Sequence, residues 1–328
     1  MAKAKNEQEN QVYTPKPVIG HTEQKELIRT ILKSGKMPHG ILLYGPEGIG
    51  KRLFAENLAW GLVCGFEDDS NDLTFDKSSR FAPVMAHGAH AGYGVLEADG
   101  SFIKVEQVRA LIKKLSLADE GWRVVIVDAA DNLNIAAANA LLKTLEEPMG
   151  RTLLILISHA PSRLLPTIIS RCRKVRLSPL GEGELEQVLA REVEGTVPER
   201  IKRLSSGAPG RAVYLHDNAK QALETLDGFF SNLEKGTPED PFKAAEHMLS
   251  GSADPRIPLD IILWMLAEKA YAAAEKNNGQ TAFNWSRAHQ SAQEVVANQE
   301  EYNLTAQLAL EKILSDILST NAEIQKAS

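Results

Sequence analysis

The sequence is poor in cysteine, in aromatic residues and in long apolar runs. Only 2 of its 328 residues are cysteine, Cys64 and Cys172, which excludes a disulfide framework and a four-cysteine zinc site. No apolar run approaches the roughly 20 residues that a membrane-spanning helix needs. The polar first 17 residues have no apolar core of the kind that a signal peptide requires. We therefore expect a cytoplasmic, multidomain protein without a membrane partner.

The chain also lacks an excess of positive charge. Lys and Arg number 37 against 43 Asp and Glu, which gives a formal net charge of −6. This balance disfavours a protein whose whole surface coats nucleic acid, although a local basic patch stays compatible with it. The hydrophobic fraction of 43% and the length are those of a globular chain with two or three domains.

Short apolar runs alternate with helical patterns in the first half of the chain. The runs are typical of buried parallel strands and cover residues 40–44, 123–127, 152–158 and 174–177. Alternation of this kind predicts an α/β domain with a parallel sheet and helices on both faces. After residue 180 no further strand is predicted, and the pattern is that of helices.

One motif is typical of phosphate binding. Residues 45–51 fit G-x-x-x-x-G-K and lie between a buried strand and a helix. Backbone amides and the helix dipole can cradle a phosphate at such a junction. The candidate nucleotide-binding residues are therefore Gly45, Pro46, Glu47, Gly48, Ile49, Gly50, Lys51, Arg52 and Asp128.

Two positions depart from the pattern of a hydrolysing P-loop protein. Arg52 replaces the Ser or Thr whose hydroxyl binds Mg²⁺, and a guanidinium has no acceptor with which to ligate a cation. Arg52 can instead contact a phosphate or plug the site. Asp128 ends a strand where a metal-organising carboxylate belongs, but its neighbour is Ala129 instead of a Glu, and we expect Asp131 to point elsewhere. We predict a degenerate magnesium site without turnover, in which Lys51 favours ATP binding and Arg52 opposes it.

The order of four further segments resembles the clamp-loader proteins of the AAA+ superfamily. These segments are residues 37–46, 103–109, 137–148 and 165–172, and the last contains Ser170-Arg171-Cys172. The resemblance covers about residues 22–180 and implies an α/β P-loop (AAA+) domain. The helical remainder matches in general character only, as a small lid and an all-α collar.

The resemblance implies roles for residues outside the loop. Arg171 is then an arginine finger that acts in trans on ATP bound by a neighbouring subunit, which suits a planar and permanent cation. An ordinary surface arginine in a basic stretch is the alternative. Arg211 takes a lid position that senses nucleotide or simply starts a capped helix. Ser158 and His159 take the first sensor position.

We predict the domain boundaries from these changes of pattern. Residues 1–18 form a flexible tail, 19–180 the P-loop domain, 181–216 the lid and 217–328 the collar, a region suited to oligomerisation. Within the first domain, residues 65–100 are polar and without periodicity, which predicts an irregular insertion. The family's zinc module is not expected there, because Cys64, His87 and His90 are an incomplete ligand set.

The resemblance also implies partners. They are gamma/tau-type ATPase and delta-type clamp-loader subunits, a sliding clamp and primed DNA within the assembled complex. The main hypothesis is therefore a largely non-hydrolytic ring subunit that acts through Arg171 during replication. An active AAA+ motor ATPase is the alternative. A monomeric P-loop kinase is disfavoured, since the helical half would then have no role.

Overall fold

The computed structural model describes residues 13–67, 72–118, 121–250, 254–299 and 304–327. Most of the predicted tail, residues 1–12, lies outside these ranges. The chain divides into two compact units. The first holds the residues up to Arg191 together with Gly207–Arg211, and the second holds Glu192–Ser206 and the residues from Ala212 onwards. The segment predicted as a separate lid, residues 181–216, is thus shared between the two units.

The first unit is built on a parallel sheet of five strands, in the order β2-β3-β4-β1-β5. The strands are β1 Gly40–Tyr44, β2 Tyr93–Leu96, β3 Trp122–Val127, β4 Arg151–Ser158 and β5 Arg173–Arg176. The helices are α1 Thr22–Lys33, α2 Lys51–Cys64, α3 Ala82–Ala86, α4 Val105–Ser116, α5 Ile135–Glu146, α6 Pro166–Ile169 and α7 Glu182–Glu192. The predicted α/β P-loop architecture is confirmed.

The strands are apolar throughout because the sheet has a core on each face. Along β4, Leu153 and Ile155 pack into one cluster, while Leu154 and Leu156 pack into the other. All four side chains are buried, and each fully buried aliphatic side chain stabilises the fold by about 1.5–3 kcal/mol. Continuous apolar runs are the expected signature of strands covered on both sides.

The segment 65–100 differs from the irregular insertion that the sequence predicts. Its described residues include α3 and β2, and β2 pairs with β3 at the edge of the sheet. Phe75 and Met85 form a small core with Trp60 of α2. The strand is only four residues long and alternates between half-buried and buried positions, so it lacks the apolar run by which the other strands are recognised.

The start of the described chain is also held in place. Lys25 Nζ donates to the carbonyl of Val18 at 2.7 Å, and Asn57 Nδ2 donates to the carbonyl of Lys16 at 2.9 Å. Residues 13–18, predicted as the end of a flexible tail, therefore have fixed backbone partners in the first unit.

The second unit is helical in every element that the structure describes. Its helices are α8 Glu199–Ser205, α9 Pro209–Asn218, α10 Lys220–Glu234, α11 Pro241–Ser250, α12 Arg256–Glu275, α13 Gly279–Ala297 and α14 Ala306–Ala327. The first residues of α9, up to Arg211, belong to the first unit. Its buried side chains include Phe229, Ile262 and Leu314. The predicted all-α character is confirmed. Among the described residues, no helix has both the length and the apolarity needed to cross a bilayer.

Candidate functional site

The predicted phosphate loop connects β1 to α2 and is shaped by glycine. Gly45 has a φ of +148° and Gly48 a φ of +76°, both in the region that side chains disfavour. A Cβ at position 45 would lie 2.2 Å from the carbonyl oxygen of Leu177. The loop therefore reaches its close turn only with glycine at that position.

Lys51 opens α2 and folds back over the loop. Its Nζ donates to the carbonyls of Gly45 at 2.8 Å and Pro46 at 2.6 Å, and lies 2.9 Å from Nδ1 of His159. Burial lowers the pKa of Lys51 to about 8, against the opposing effect of nearby carboxylates such as Glu47. The predicted loop lysine and the predicted sensor residue His159 thus meet at one point.

Arg52 lies where a magnesium-binding hydroxyl is expected, and three carboxylates surround it. Its Nη1 donates to Asp128 at 2.7 Å and to Glu97 at 2.8 Å, while its Nε donates to Glu56 at 2.6 Å. Burial opposes the charge, but the carboxylates, Glu56 foremost, outweigh it and raise the pKa of Arg52. Asp128, the predicted metal-organising carboxylate, is thus paired with a guanidinium. The residues present do not fit Mg²⁺.

The cluster around Arg52 extends to the start of the described chain. The hydroxyl of Tyr13 donates to Glu56 Oε2 at 2.5 Å, and burial together with this contact raises the pKa of Tyr13. Tyr13 also donates its backbone N–H to the carbonyl of Ala86 at 3.1 Å. Sequence reasoning missed Tyr13, Glu56 and Glu97. Of these, only Glu56 had a local signal, since it is four residues after Arg52 on one helix face.

Asp131 uses both of its carboxylate oxygens to organise the end of β4. It accepts hydrogen bonds from the hydroxyl of Ser158 at 2.6 Å and from the backbone N–H of His159 at 2.7 Å. Between the two carboxylates, Ala129 adopts a φ of +53°. The side chain at position 129 thus offers no acceptor for a water proton. Asp131 holds the predicted sensor residues Ser158 and His159.

The predicted lid residue Arg211 is far from the loop in sequence but lies close to it in space. Gly210 donates its backbone N–H to the carbonyl of Gly48 at 2.8 Å. A Cβ at Gly48 would come within 2.7 Å of the backbone nitrogen of Arg211. The backbone of segment 207–211 therefore packs against the phosphate loop within the first unit.

Arg171 lies at the other end of the sheet. Its Nη2 pairs with Glu146 at 2.7 Å, its Nη1 donates to the carbonyl of Thr167 at 3.1 Å, and 39% of its side chain is exposed. A Cβ at Gly40, the first residue of β1, would lie 3.4 Å from the carbonyl of Arg171. The loop at Gly45 follows the last residue of β1. At about 3.3 Å per residue, Gly40 and Gly45 are roughly 16 Å apart. The structure therefore does not bring Arg171 to the loop of its own chain.

The residues considered for zinc make other contacts. Nδ1 of His90 accepts the backbone N–H of Gly92 at 3.1 Å, and the ring meets Phe81 edge to face. In the ranges that the structure describes, no three His, Cys, Asp or Glu side chains are grouped so as to hold a metal ion. Cys64 is buried.

Both cysteines are expected to react slowly with thiol reagents. Cys64 and Cys172 are buried, and burial raises the pKa of each thiol to about 11 from an ordinary value near 9. At pH 8 the reactive thiolate is then roughly 100-fold scarcer than in an ordinary thiol, and the rate continues to rise with pH up to about 11. Absorbance with an aromatic disulfide reagent measures this, with the urea-unfolded chain as control. Rapid labelling of the native chain at pH 8 would contradict it.

Known proteins resemble this chain over part of its length, and the match to a family model lies in the first unit. The family model described as DNA polymerase III, delta subunit, matches residues 20–181. The DNA polymerase III subunit delta′ of Pseudomonas aeruginosa is 39% identical over 199 residues, which are 58% of this chain and 60% of the relative. The delta′ subunit of Escherichia coli is 35% identical over 201 residues, 59% of each chain. The chain thus matches less than two thirds of the length of these relatives.

Two further likenesses are more distant. The DNA polymerase III subunit gamma of Buchnera aphidicola is 30% identical over 217 residues, which are 64% of this chain and 57% of the relative. A solved structure of a gamma subunit-related protein from Thermotoga maritima aligns with 91% of this chain and 99% of its own, at 19% identity and a TM-score of 0.46. Residues 20–181 thus match the DNA polymerase III delta-subunit family, and the identities to two delta′ subunits support the delta′ type for this chain.

Proposed function

We propose that the chain is a non-hydrolytic subunit of a bacterial DNA polymerase III clamp loader. In this role it supplies Arg171 to ATP bound by a neighbouring subunit and helps to load a sliding clamp onto primed DNA. Its partners are then gamma/tau-type ATPase and delta-type subunits. The delta′ and gamma relatives support this assignment.

The observation that carries the proposal is the separation between Arg171 and the loop of the same chain. Arg171 is exposed beside the first residue of β1, whereas Lys51 lies beyond its last residue. A guanidinium that acts on a phosphoryl group must come within hydrogen-bonding distance of it. Arg171 can therefore serve only a nucleotide held by another chain. Its pairing with the exposed carboxylate of Glu146 keeps it at the surface and is weak enough to exchange for a phosphate.

The chain's own loop supports the non-hydrolytic part of the proposal. Arg52 forms a hydrogen-bonded ion pair with Asp128, and Ala129 has no side-chain acceptor for a water proton. Metal-assisted phosphoryl transfer needs both a cation on the phosphates and a group that orients the nucleophile. This argues against the alternative of an active motor ATPase, because that function would require both groups from outside the site.

Hydrolysis by the chain alone and within a reconstituted loader tests the proposal. We expect the purified chain to show no turnover above a blank containing buffer and ATP. We expect a mixture of gamma/tau-type and delta-type subunits with clamp and primed DNA to need this chain for full DNA-stimulated hydrolysis. Steady-state phosphate release measures both. Robust turnover by the chain alone, or a loader indifferent to its omission, would contradict the proposal.

A further inference from the structure

The phosphate loop of this chain keeps its cradle although its cation position is filled. Gly45 and Gly48 keep the positive φ angles of the turn, and Lys51 lies across the loop carbonyls at 2.6–2.8 Å. These are the parts that bind phosphate through backbone amides and a positive charge. What differs from a functional loop is concentrated at Arg52.

Hydrogen bonds to three carboxylates hold the guanidinium of Arg52 in place. Three carboxylates accept its hydrogen bonds within 2.6–2.8 Å, from α2, from the segment after β2 and from the end of β3. The side chain of Glu56 is only 7% exposed. Tyr13 holds the second oxygen of Glu56. The guanidinium is therefore fixed from several sides, and it cannot lose its proton to make room for a metal ion.

The charges around the loop disfavour the binding of a polyphosphate, with or without Mg²⁺. Glu56, Glu97 and Asp128 carry three negative charges, against two positive charges on Lys51 and Arg52. A polyphosphate that enters without a divalent cation meets a net negative site. A polyphosphate that brings Mg²⁺ finds the place of the cation taken, with no hydroxyl at position 52 to ligate it.

We propose that Arg52 is a lock that closes this phosphate loop to a magnesium-bound nucleoside triphosphate, and that the single substitution Arg52→Thr opens it. The substitution removes the guanidinium, supplies a hydroxyl, and leaves three carboxylate groups that attract a divalent cation. The lock deepens the proposed non-hydrolytic role and rests on it. Tyr13 acts as a positioning residue, because it fixes Glu56 and through it Arg52.

Equilibrium binding to the full chain tests the lock. Isothermal titration with ATP in the presence of Mg²⁺ is expected to give at least a tenfold lower Kd for Arg52→Thr than for the unaltered chain, about 1.4 kcal/mol. Chelation of Mg²⁺ should abolish this gain. Arg52→Lys is the matched control, since it keeps the positive charge at the same position, and it should stay as closed as the unaltered chain.

A second measurement guards against a misfolded variant. The melting temperature of Arg52→Thr should rise when Mg²⁺ is added, because uncompensated carboxylates then gain a cation, while that of the unaltered chain and of Arg52→Lys should not. Tyr13→Phe should fall between the closed and the open form in Kd. Equal affinity of the unaltered chain and Arg52→Thr, or an absence of ATP and Mg²⁺ effects in Arg52→Thr, overturns the lock. Both results leave the role of Arg171 standing, whereas ATP turnover by the unaltered chain defeats the proposed function itself.

Discussion

Under the proposed function, Arg171→Ala in a reconstituted clamp loader is expected to abolish hydrolysis at the one ATP site that Arg171 would serve. Arginine fingers supplied in trans raise turnover in P-loop proteins by about 10³–10⁵-fold. Arg171 is exposed and has only the exposed Glu146 as its charged partner among the described contacts, so its removal should not impair folding. Rapid-quench hydrolysis under single-turnover conditions, with clamp and primed DNA present, will show the loss as missing amplitude, while gel filtration shows an intact complex.

Two controls separate a finger from general positive charge. Arg173→Ala removes the same charge from the same exposed segment, two residues further along the chain, and should leave the amplitude unchanged. Arg171→Lys keeps the charge but loses the planar fork, so it should be nearly as defective as alanine. If Arg173→Ala and Arg171→Ala lower hydrolysis equally, Arg171 is an ordinary member of a basic surface.

Trp60→Ala is expected to destabilise the first unit by about 3–5 kcal/mol, the usual cost of removing a large buried aromatic side chain. Trp60 is 1% exposed, and its ring lies 4.7 Å from that of Phe75. Together with Met85 it joins α2 to the segment that carries α3 and β2. Hydrogen exchange measured by mass spectrometry as a function of urea should show the largest loss of protection in peptides from residues 72–100.

The controls for Trp60→Ala use the same chemistry at different burial. Phe102 is 57% exposed, so Phe102→Ala should change stability by less than about 0.5 kcal/mol. Trp60→Phe should cost less than Trp60→Ala. It keeps an aromatic ring and removes the indole N–H, which is buried and has no hydrogen-bond partner among the described residues. Unchanged protection of residues 72–100 in Trp60→Ala would show that this segment does not depend on the small core.

The sequence predicts the parts of the fold that local patterns encode. Strands β1, β3, β4 and β5 were predicted because continuous apolar runs follow from burial on both faces of a parallel sheet. Strand β2 was missed, since its four residues lie among glycines and gain their place only by pairing with β3. The packing of Phe75 against Trp60 is equally non-local.

The candidate site divides in the same way. The phosphate loop, Lys51 and the misfit at Arg52 follow from one contiguous motif and are readable without a fold. The carboxylate of Glu97 and the hydroxyl of Tyr13 are 45 residues after and 39 residues before Arg52 in the chain. No spacing rule links such positions, because only the folded sheet and α2 bring them together.

The separation of Arg171 and Lys51 along β1 gives the chain a direction. Under the proposed function, the end of the sheet at Arg171 provides a guanidinium to a neighbouring subunit. The opposite end carries the phosphate loop and does not hydrolyse ATP. In a closed ring of subunits that contains one such chain, hydrolysis cannot proceed from subunit to subunit around the whole ring, because this chain does not hydrolyse ATP. The order of events around the assembly then has a fixed starting point, which is set by where this chain sits.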